Sequence, residues 1–421
     1  MKDNIIAGLD IGSTEVRLVV AQHKNTGEGE ELQIIGAVKS PSNGINKGAV
    51  KSIEDVTSSI SACLEKAERL VGVPLDSVWV SINSPHIKCE KSRGVVAVSK
   101  GDGEISQDDV ARALEAAQAL SVPPNYEILH VIPIKFTVDN QSDVKDPVGM
   151  TGVRLEVETL IVQGLSSQIK NLTKAIFRTN LDIEDLVLSP LAAAEAVIGQ
   201  KQKELGAAIV NIGAATTSLA VFEEGELLHT AVIPIGSDHI TADVAIGLRC
   251  PINFADRIKC EFGSALPENF GEDEEINVAQ IAKEEGIEED FSTVKKKYLA
   301  EIIEARVEEI FEKIDEEFKK IERSGMLPGG VFLIGGGTKL ANIVEAGKKK
   351  LRLPVSLGAN KKIATIIDKV NDTEYLNALG LIIWGNNLSL SSNRKGNKFT
   401  DKINVGKGVD QVKKWFKALM P

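Results

Sequence analysis

Three short stretches place glycine and small residues directly after a strand-like run. In LDIGSTEVR, Asp10 is followed by Gly12, Ser13 and Thr14; in VNIGAATTS, Asn211 is followed by Gly213, Ala214, Ala215, Thr216 and Thr217. In VFLIGGGTKL, an apolar run leads into Gly335, Gly336, Gly337 and Thr338. Glycine permits a tight turn and close approach of backbone to a ligand, and successive amides in such a turn form a nest for an anion. Phosphate binding is the chemistry that suits these residues. The first turn offers the amides and hydroxyls of Ser13 and Thr14, the second acts as an opposing clamp, and Asp10 faces a hydrated cation. The third admits a flat or anionic ligand at the N-terminus of a helix expected to begin near Thr338. A single glycine turn after a strand is more often just a turn; three in this order make a site.

The first two stretches are one device used twice. IAGLDIGSTEVRLVVA, Ile6 to Ala21, aligns with AAIVNIGAATTSLAVF, Ala207 to Phe222, as strand, turn and strand, with Asn211 where the first copy has Asp10. Strand-like runs alternate with helical patterns such as Ile53 to Val71, Ser166 to Thr179, Val294 to Arg323, Lys339 to Leu351 and Glu374 to Gly385. This alternation, with hairpins opening both halves, predicts an α/β chain with mixed sheets. Two segments read as insertions. From about Ser84 to Ser167 lies a strand-rich unit whose one good helix opens with Ser106 as N-cap and Asp108 and Asp109 in its first turn. Around Pro267 to Phe291 the chain is strongly acidic and predicts a solvated, partly helical lobe.

After Gly385 a stretch rich in Asn, Ser, Lys and Gly lacks apolar periodicity and reads as a flexible linker. It leads to VDQVKKWFKALMP, where Val412, Trp415, Phe416, Leu419 and Met420 recur at three- and four-residue steps while Lys413, Lys414 and Lys417 gather opposite. Such a helix suits a membrane interface, with rings at headgroup depth and lysines near anionic lipid. Docking on the protein's own core or on a partner is the alternative.

Length and charge bound these readings. The 421 residues allow two or more domains. The net charge of −11 hides an asymmetry: from Asn393 onward eight Lys/Arg face two Asp, which leaves −17 upstream. An acidic body of this kind argues against nucleic-acid binding, whereas its basic tail suits an anionic surface. Cys63, Cys89, Cys250 and Cys260 have neither metal-type nor redox-type spacing, and no run reaches the length of a spanning helix. A reduced, cytosolic protein is expected.

The ordered set of turns resembles the actin, Hsp70 and sugar-kinase ATPase superfamily. ADRIK, Ala255 to Lys259, resembles the adenosine contact of bacterial actins and implies Asp256 and Lys259 near the ribose or base. Within that superfamily, ILHVIPIKFTVDNQSDVKDPVGMTGVRLEVE and PIGSDHITADVAIGLRCP resemble the bacterial cell-division family FtsA, over Ile5 to Gly385. The resemblance implies an actin-like lobe I core from residues 1–83, 166–205 and 361–385, with an FtsA-type α+β subdomain inserted at 84–165. It implies a lobe II core from 206–236 and 305–360, an accessory subdomain at 237–304, a linker at 386–408 and a membrane-targeting amphipathic helix at 409–421. It further implies ATP with Mg²⁺ between the lobes and self-assembly into filaments at the cytoplasmic face of the membrane, at the division septum. The C-terminal peptide of the tubulin-like protein FtsZ would dock on 237–304, beside other division proteins.

Three residues depart from the family pattern. Ser189 stands where bacterial actins carry a water-orienting glutamate, and Asn211 replaces the usual aspartate of the second turn. Glu15 replaces a frequent lysine, although Arg17 on the same strand face could supply the phosphate's cation. Glu195 is a substitute base or an ordinary surface glutamate. ATP binding with slow or absent hydrolysis is therefore expected. Lys295, Lys296, Lys297 and Arg306 could meet acidic peptide groups. The rival readings are an adaptor related to the pilus-assembly protein PilM and a small-molecule kinase of the same superfamily.

Overall fold

A computed structural model describes residues 5–26, 29–119, 123–287 and 292–393. Lobe I begins with β1 (Ile5–Ile11), β2 (Glu15–Thr26), β3 (Gly29–Pro41), a small hairpin of β4 (Ile45–Asn46) and β5 (Ala49–Val50), α1 (Ile53–Val71) and β6 (Ser77–Ile82). The interior of β1 is buried throughout, as the apolar run Ile5 to Leu9 requires of a strand packed on both faces, and Asp10 is buried with it. Ser52 caps α1 by accepting from the Asp55 amide, and Gly72 ends it at φ +77°.

The inserted unit follows as β7 (Lys88–Ala97), α2 (Gln107–Gln118), β8 (Tyr126–Val138), β9 (Gln141–Val144) and β10 (Arg154–Leu165). It folds on its own core of Ile105, Val110, Leu114, Phe136, Leu155 and Val157. Its helix carries the expected cap: Ser106 and Asp109 exchange hydrogen bonds in a capping box. Burial would raise the Asp109 carboxyl, but bonds from Ser106, Ser99 and Arg112 hold it well below the usual carboxylate range.

The chain returns to lobe I through α3 (Ser166–Phe177), β11 (Asp182–Leu188), α4 (Ser189–Val197) and α5 (Gln200–Leu205). Lobe II comprises β12 (Ala207–Ile212), β13 (Thr217–Glu223), β14 (Glu226–Ile233), α6 (Ser237–Leu248), α7 (Ile252–Phe262), β15 (Glu275–Asn277), α8 (Ala279–Glu284), β16 (Thr293–Lys295), α9 (Lys296–Lys320), β17 (Gly330–Ile334), α10 (Ile343–Leu351) and β18 (Val355–Leu357). Finally α11 (Leu376–Asn393) packs back on lobe I.

The two principal sheets have one topology. Lobe I is ordered β11-β6-β1-β2-β3 and lobe II β18-β17-β12-β13-β14, each with two parallel pairings followed by two antiparallel ones. Separate apolar cores fill the lobes.

Two boundaries differ from expectation. Helix α11 continues to Asn393, so the linker expected from residue 386 begins as helix. Its Ser389 hydroxyl donates to the Gly385 carbonyl at 2.8 Å, which satisfies a polar residue inside the helix. Helix α10 starts at Ile343 rather than near Thr338. Between them the chain makes a 3₁₀ turn at Gly336–Lys339, and Ala341 then pairs with Ser264 at the end of α7. The amphipathic segment from Val409 onward lies outside the described residues.

Candidate nucleotide cleft

The first two glycine turns are equivalent in register. Asp10 pairs with Arg17 and Ile11 with Val16; Asn211 pairs with Ser218 and Ile212 with Thr217. Each closes by the same bond, Gly12 N to Glu15 O at 3.0 Å and Gly213 N to Thr216 O at 2.9 Å. A Cβ on either glycine would lie within 3.0 Å of that carbonyl, so both turns are as tight as glycine allows.

One segment joins them. At the C-terminal end of β6, the Ser81 hydroxyl donates to the Asp10 carboxylate at 2.5 Å. Two residues on, the Asn83 amide donates across the lobes to the Thr216 hydroxyl at 3.3 Å. Between them the Ile82 carbonyl accepts from Ser189 at 3.3 Å. Sequence reasoning missed Ser81 and Asn83. Their signal was the polar SINS run at the carboxyl end of a strand, where open α/β sheets bind ligands.

Asp10 is buried and also accepts from Asn377 at 3.5 Å. Arg17 lies beside the first turn, its guanidinium 3.8 Å from where a Gly12 Cβ would stand, and it is not a free cation. It pairs with Glu15 and, at 3.3 Å, with Glu374 just before α11. Glu374 also meets Lys39 at 3.1 Å and Lys339 from the third turn at 3.4 Å. Burial would raise the Glu374 carboxyl, but these cations hold it below its ordinary value. Buried polar atoms without a hydrogen-bond partner among the described residues gather here: Arg17 Nε, Ser42 Oγ, Asn83 Oδ1 and Asn377 Oδ1. Such atoms suit a polar ligand between the turns.

The second turn is more deeply set. The Gly213 and Ala214 carbonyls accept from the Ser237 and Asp238 amides at the start of α6, which fixes the turn from behind. Thr217 is fully buried, and its hydroxyl donates to Ile235 O at 2.8 Å, so it braces the turn rather than lining the cleft.

In the third turn, Gly335 has φ +92°, and a Cβ there would stand 2.3 Å from Asn211 Oδ1; at Gly337 it would meet Ile212, and at Gly336 nothing within 4 Å. Gly336 is thus the open position. Thr338 is buried, its hydroxyl donating to Gly335 O at 2.7 Å, and it too is structural. The absence of a helix start at Thr338 removes the helix N-terminus from this turn.

Asp256 and Lys259 come together on α7 at 2.7 Å, and both contact Thr241 of α6. Helix α7 ends against the segment that follows the third turn. Ser189 is buried at the start of α4. Glu195 lies about 9 Å further along that helix and pairs with Lys203 at 2.7 Å. In the accessory region, Lys296 meets Glu274 at 2.5 Å, Lys297 meets Glu272, and Arg306 meets Asp243 and Glu309, so these cations are already neutralised. Val412, Lys413, Lys414, Trp415, Phe416, Lys417, Leu419 and Met420 lie outside the described residues.

Two lobes of equal topology with facing turns define an actin-like ATPase fold. Solved structures of this shape include a PilM–PilN type IV pilus biogenesis complex, with TM-score 0.65 and 14% identity over 90% of this chain and 98% of that one. Another is MreB5 of Spiroplasma citri bound to ADP, with TM-score 0.55 and 11% identity over 94% and 100%. Residues 84–163 match the SHS2 domain inserted in FtsA, and residues 208–380 match the model of cell division protein FtsA. The FtsA of Pseudomonas aeruginosa is 33% identical over 98% of this chain and 97% of its own; that of Bacillus subtilis is 36% identical over 90% and 83%. The chain belongs to the FtsA family of cell-division proteins.

Proposed function

We propose that this chain binds ATP with Mg²⁺ between its lobes, assembles into filaments on the cytoplasmic membrane and tethers the FtsZ ring there during division. The observation that carries the nucleotide reading is the pair of equivalent turns bridged by Ser81 and Asn83. Amides and hydroxyls at Gly12, Ser13 and Thr14 would cradle phosphates from one side, and Gly213 to Thr216 from the other. Gly336 would border the nucleoside, with Asp256 and Lys259 toward the ribose. Asp10 would hold Mg²⁺ through water.

Turnover is slow in this reading. Ser189 is a poor base, and its hydroxyl is bonded to Ile82 O. Asp10, Glu15 and Glu374 are all engaged by donors or cations. Nucleotide then acts by shifting lobe closure. Calorimetry with purified protein is expected to give ATP binding with slow phosphate release. Absence of ATP binding, or rapid release abolished by Ser189→Ala, would overturn the reading.

The FtsZ peptide would dock on the lobe at 237–304. With Lys296 and Lys297 internally paired, exposed apolar residues support the contact better: Ile246 (74% exposed), Ile252 and Tyr298. A PilM-like adaptor remains the rival reading. The lysine-rich amphipathic terminus favours the membrane-bound one.

A further inference from the structure

Helix α3 turns a cationic row to solvent, remote from the turns of the cleft. Lys170, Lys174 and Arg178 follow at four-residue steps and so stand on one face; with Thr173 and Phe177 they line a shallow groove. Phe177 is 47% exposed. Lys170 meets Glu127 at 3.3 Å, whereas Lys174 and Arg178 enter no ion pair among the described residues.

The end of α3 lies at a particular edge of lobe I. From Phe177 the chain turns into β11, and this connection meets the one from α1 into β6, where the Asp182 amide donates to Asp76 O at 2.9 Å. That second connection follows Leu70 and contains Val73, 58% and 38% exposed. Both enter parallel strands at their N-terminal edge. Helix α11 runs toward the same edge. Its Asn377 lies at Asp10, and its Gly385 lies against Trp79, the third residue of β6. Asn393 is a further 12 Å or so along the axis. The basic tail therefore leaves the body at the edge that carries Leu70, Val73 and Phe177.

The charges select the occupant. Residues 394–421 contain eight Lys/Arg and two Asp, so the tail and the groove repel each other. An anionic sheet attracts both. We propose that the α3 groove and the Leu70–Val73 connection rest on anionic lipid, giving the folded body its own attachment point beside the C-terminal helix. The proposal rests on the reading of that helix as membrane-binding. It also sets an orientation: exposed Glu31 lies on β3, at the opposite side of the sheet, roughly 19 Å from β11 at ordinary strand spacing. The β11 side faces lipid and the β3 side tilts away. Asp182 and Glu184 border the row, so the contact is weak and reversible.

A cation near an anionic leaflet raises affinity about fivefold. The full chain with Lys174→Gln and Arg178→Gln is expected to bind vesicles containing about 30% phosphatidylglycerol at least tenfold more weakly at low salt, a difference that shrinks as salt screens it. Lys174→Arg with Arg178→Lys keeps the charge and is expected to bind like the parent, which separates charge from packing. A second measurement does not depend on affinity. Phe177→Trp in a Trp415→Phe chain is expected to be quenched by brominated anionic lipid beyond the Trp415→Phe parent. Unchanged affinity in the glutamine variant, or no added quenching at position 177, overturns the proposal. Trp415→Ala with Phe416→Ala tests the tail separately: if that variant binds like the parent, the tail reading has failed, whatever the groove variants do.

Discussion

Asp10 and Asn211 hold the same station in two equivalent turns, and their surroundings give them different tasks. Asp10 receives a hydroxyl from Ser81 and an amide from Asn377. Asn211 has its Oδ1 over Gly335, so its task is to seat the third turn. Beside Asp10, Arg17 is shared between Glu15 and Glu374, which sets up opposed outcomes. Arg17→Ala is expected to weaken ATP binding about tenfold, on the order of one charge-assisted hydrogen bond. Glu374→Gln, which leaves Arg17 and Lys39 more available to phosphate, is expected to strengthen it; calorimetric titration reads both. A second residue-scale effect concerns pH. His130 of the inserted unit accepts from the Leu188 amide of lobe I at 3.0 Å, and burial lowers its pKa to about 3. The unfolded chain binds this proton near pH 6.5 and the folded chain does not, so the stability is whole above that pH and is lost as pH falls toward 3. At pH 5.5 the loss is about 1 kcal/mol. Thermal melts of the parent against His130→Gln are expected to converge as pH falls through this window.

At the scale of elements, the strand-turn-strand repeat was legible because glycine after an apolar run has few other uses, and its register matches the alignment drawn from sequence. Helix ends were harder to read. Thr338 follows three glycines as a helix cap would, yet its hydroxyl closes on Gly335 O and the helix waits for Ile343. The serines after Gly385 resembled linker because composition does not reveal that a hydroxyl can bond the preceding turn. Glu374 was illegible for another reason: its partners Arg17, Lys39 and Lys339 are distant in sequence and meet only through the packing of α11. The third turn also yields a prediction. Gly335→Ala combines a left-handed φ with a contact against Asn211 and is expected to cost more than about 2 kcal/mol, read as a lower melting temperature with weakened ATP binding.

At the scale of the whole molecule, an acidic two-lobed body is joined to a basic amphipathic end. A chain ending near Gly408 is expected to keep its fold and its ATP binding while losing most of its liposome attachment, since only the weak contact of the body remains. On liposomes with ATP, electron microscopy should then show dense filaments for the full chain and far sparser coverage for the shorter one. Weak single attachments multiplied along a filament produce this contrast. The connections between the lobes bear on how such an assembly would sense nucleotide. The chain passes from lobe I to lobe II after α5 and returns after β18, and the approaches to these crossings touch: Lys361 N donates to Ala196 O at 3.2 Å, and a Cβ on Gly358 would lie 3.2 Å from Val197. Two covalent links lying together act as one axle. Relative motion of the lobes then reduces largely to a single angle, so any ligand clasped by both turns reports to the rest of the molecule as one scalar, the width of the cleft.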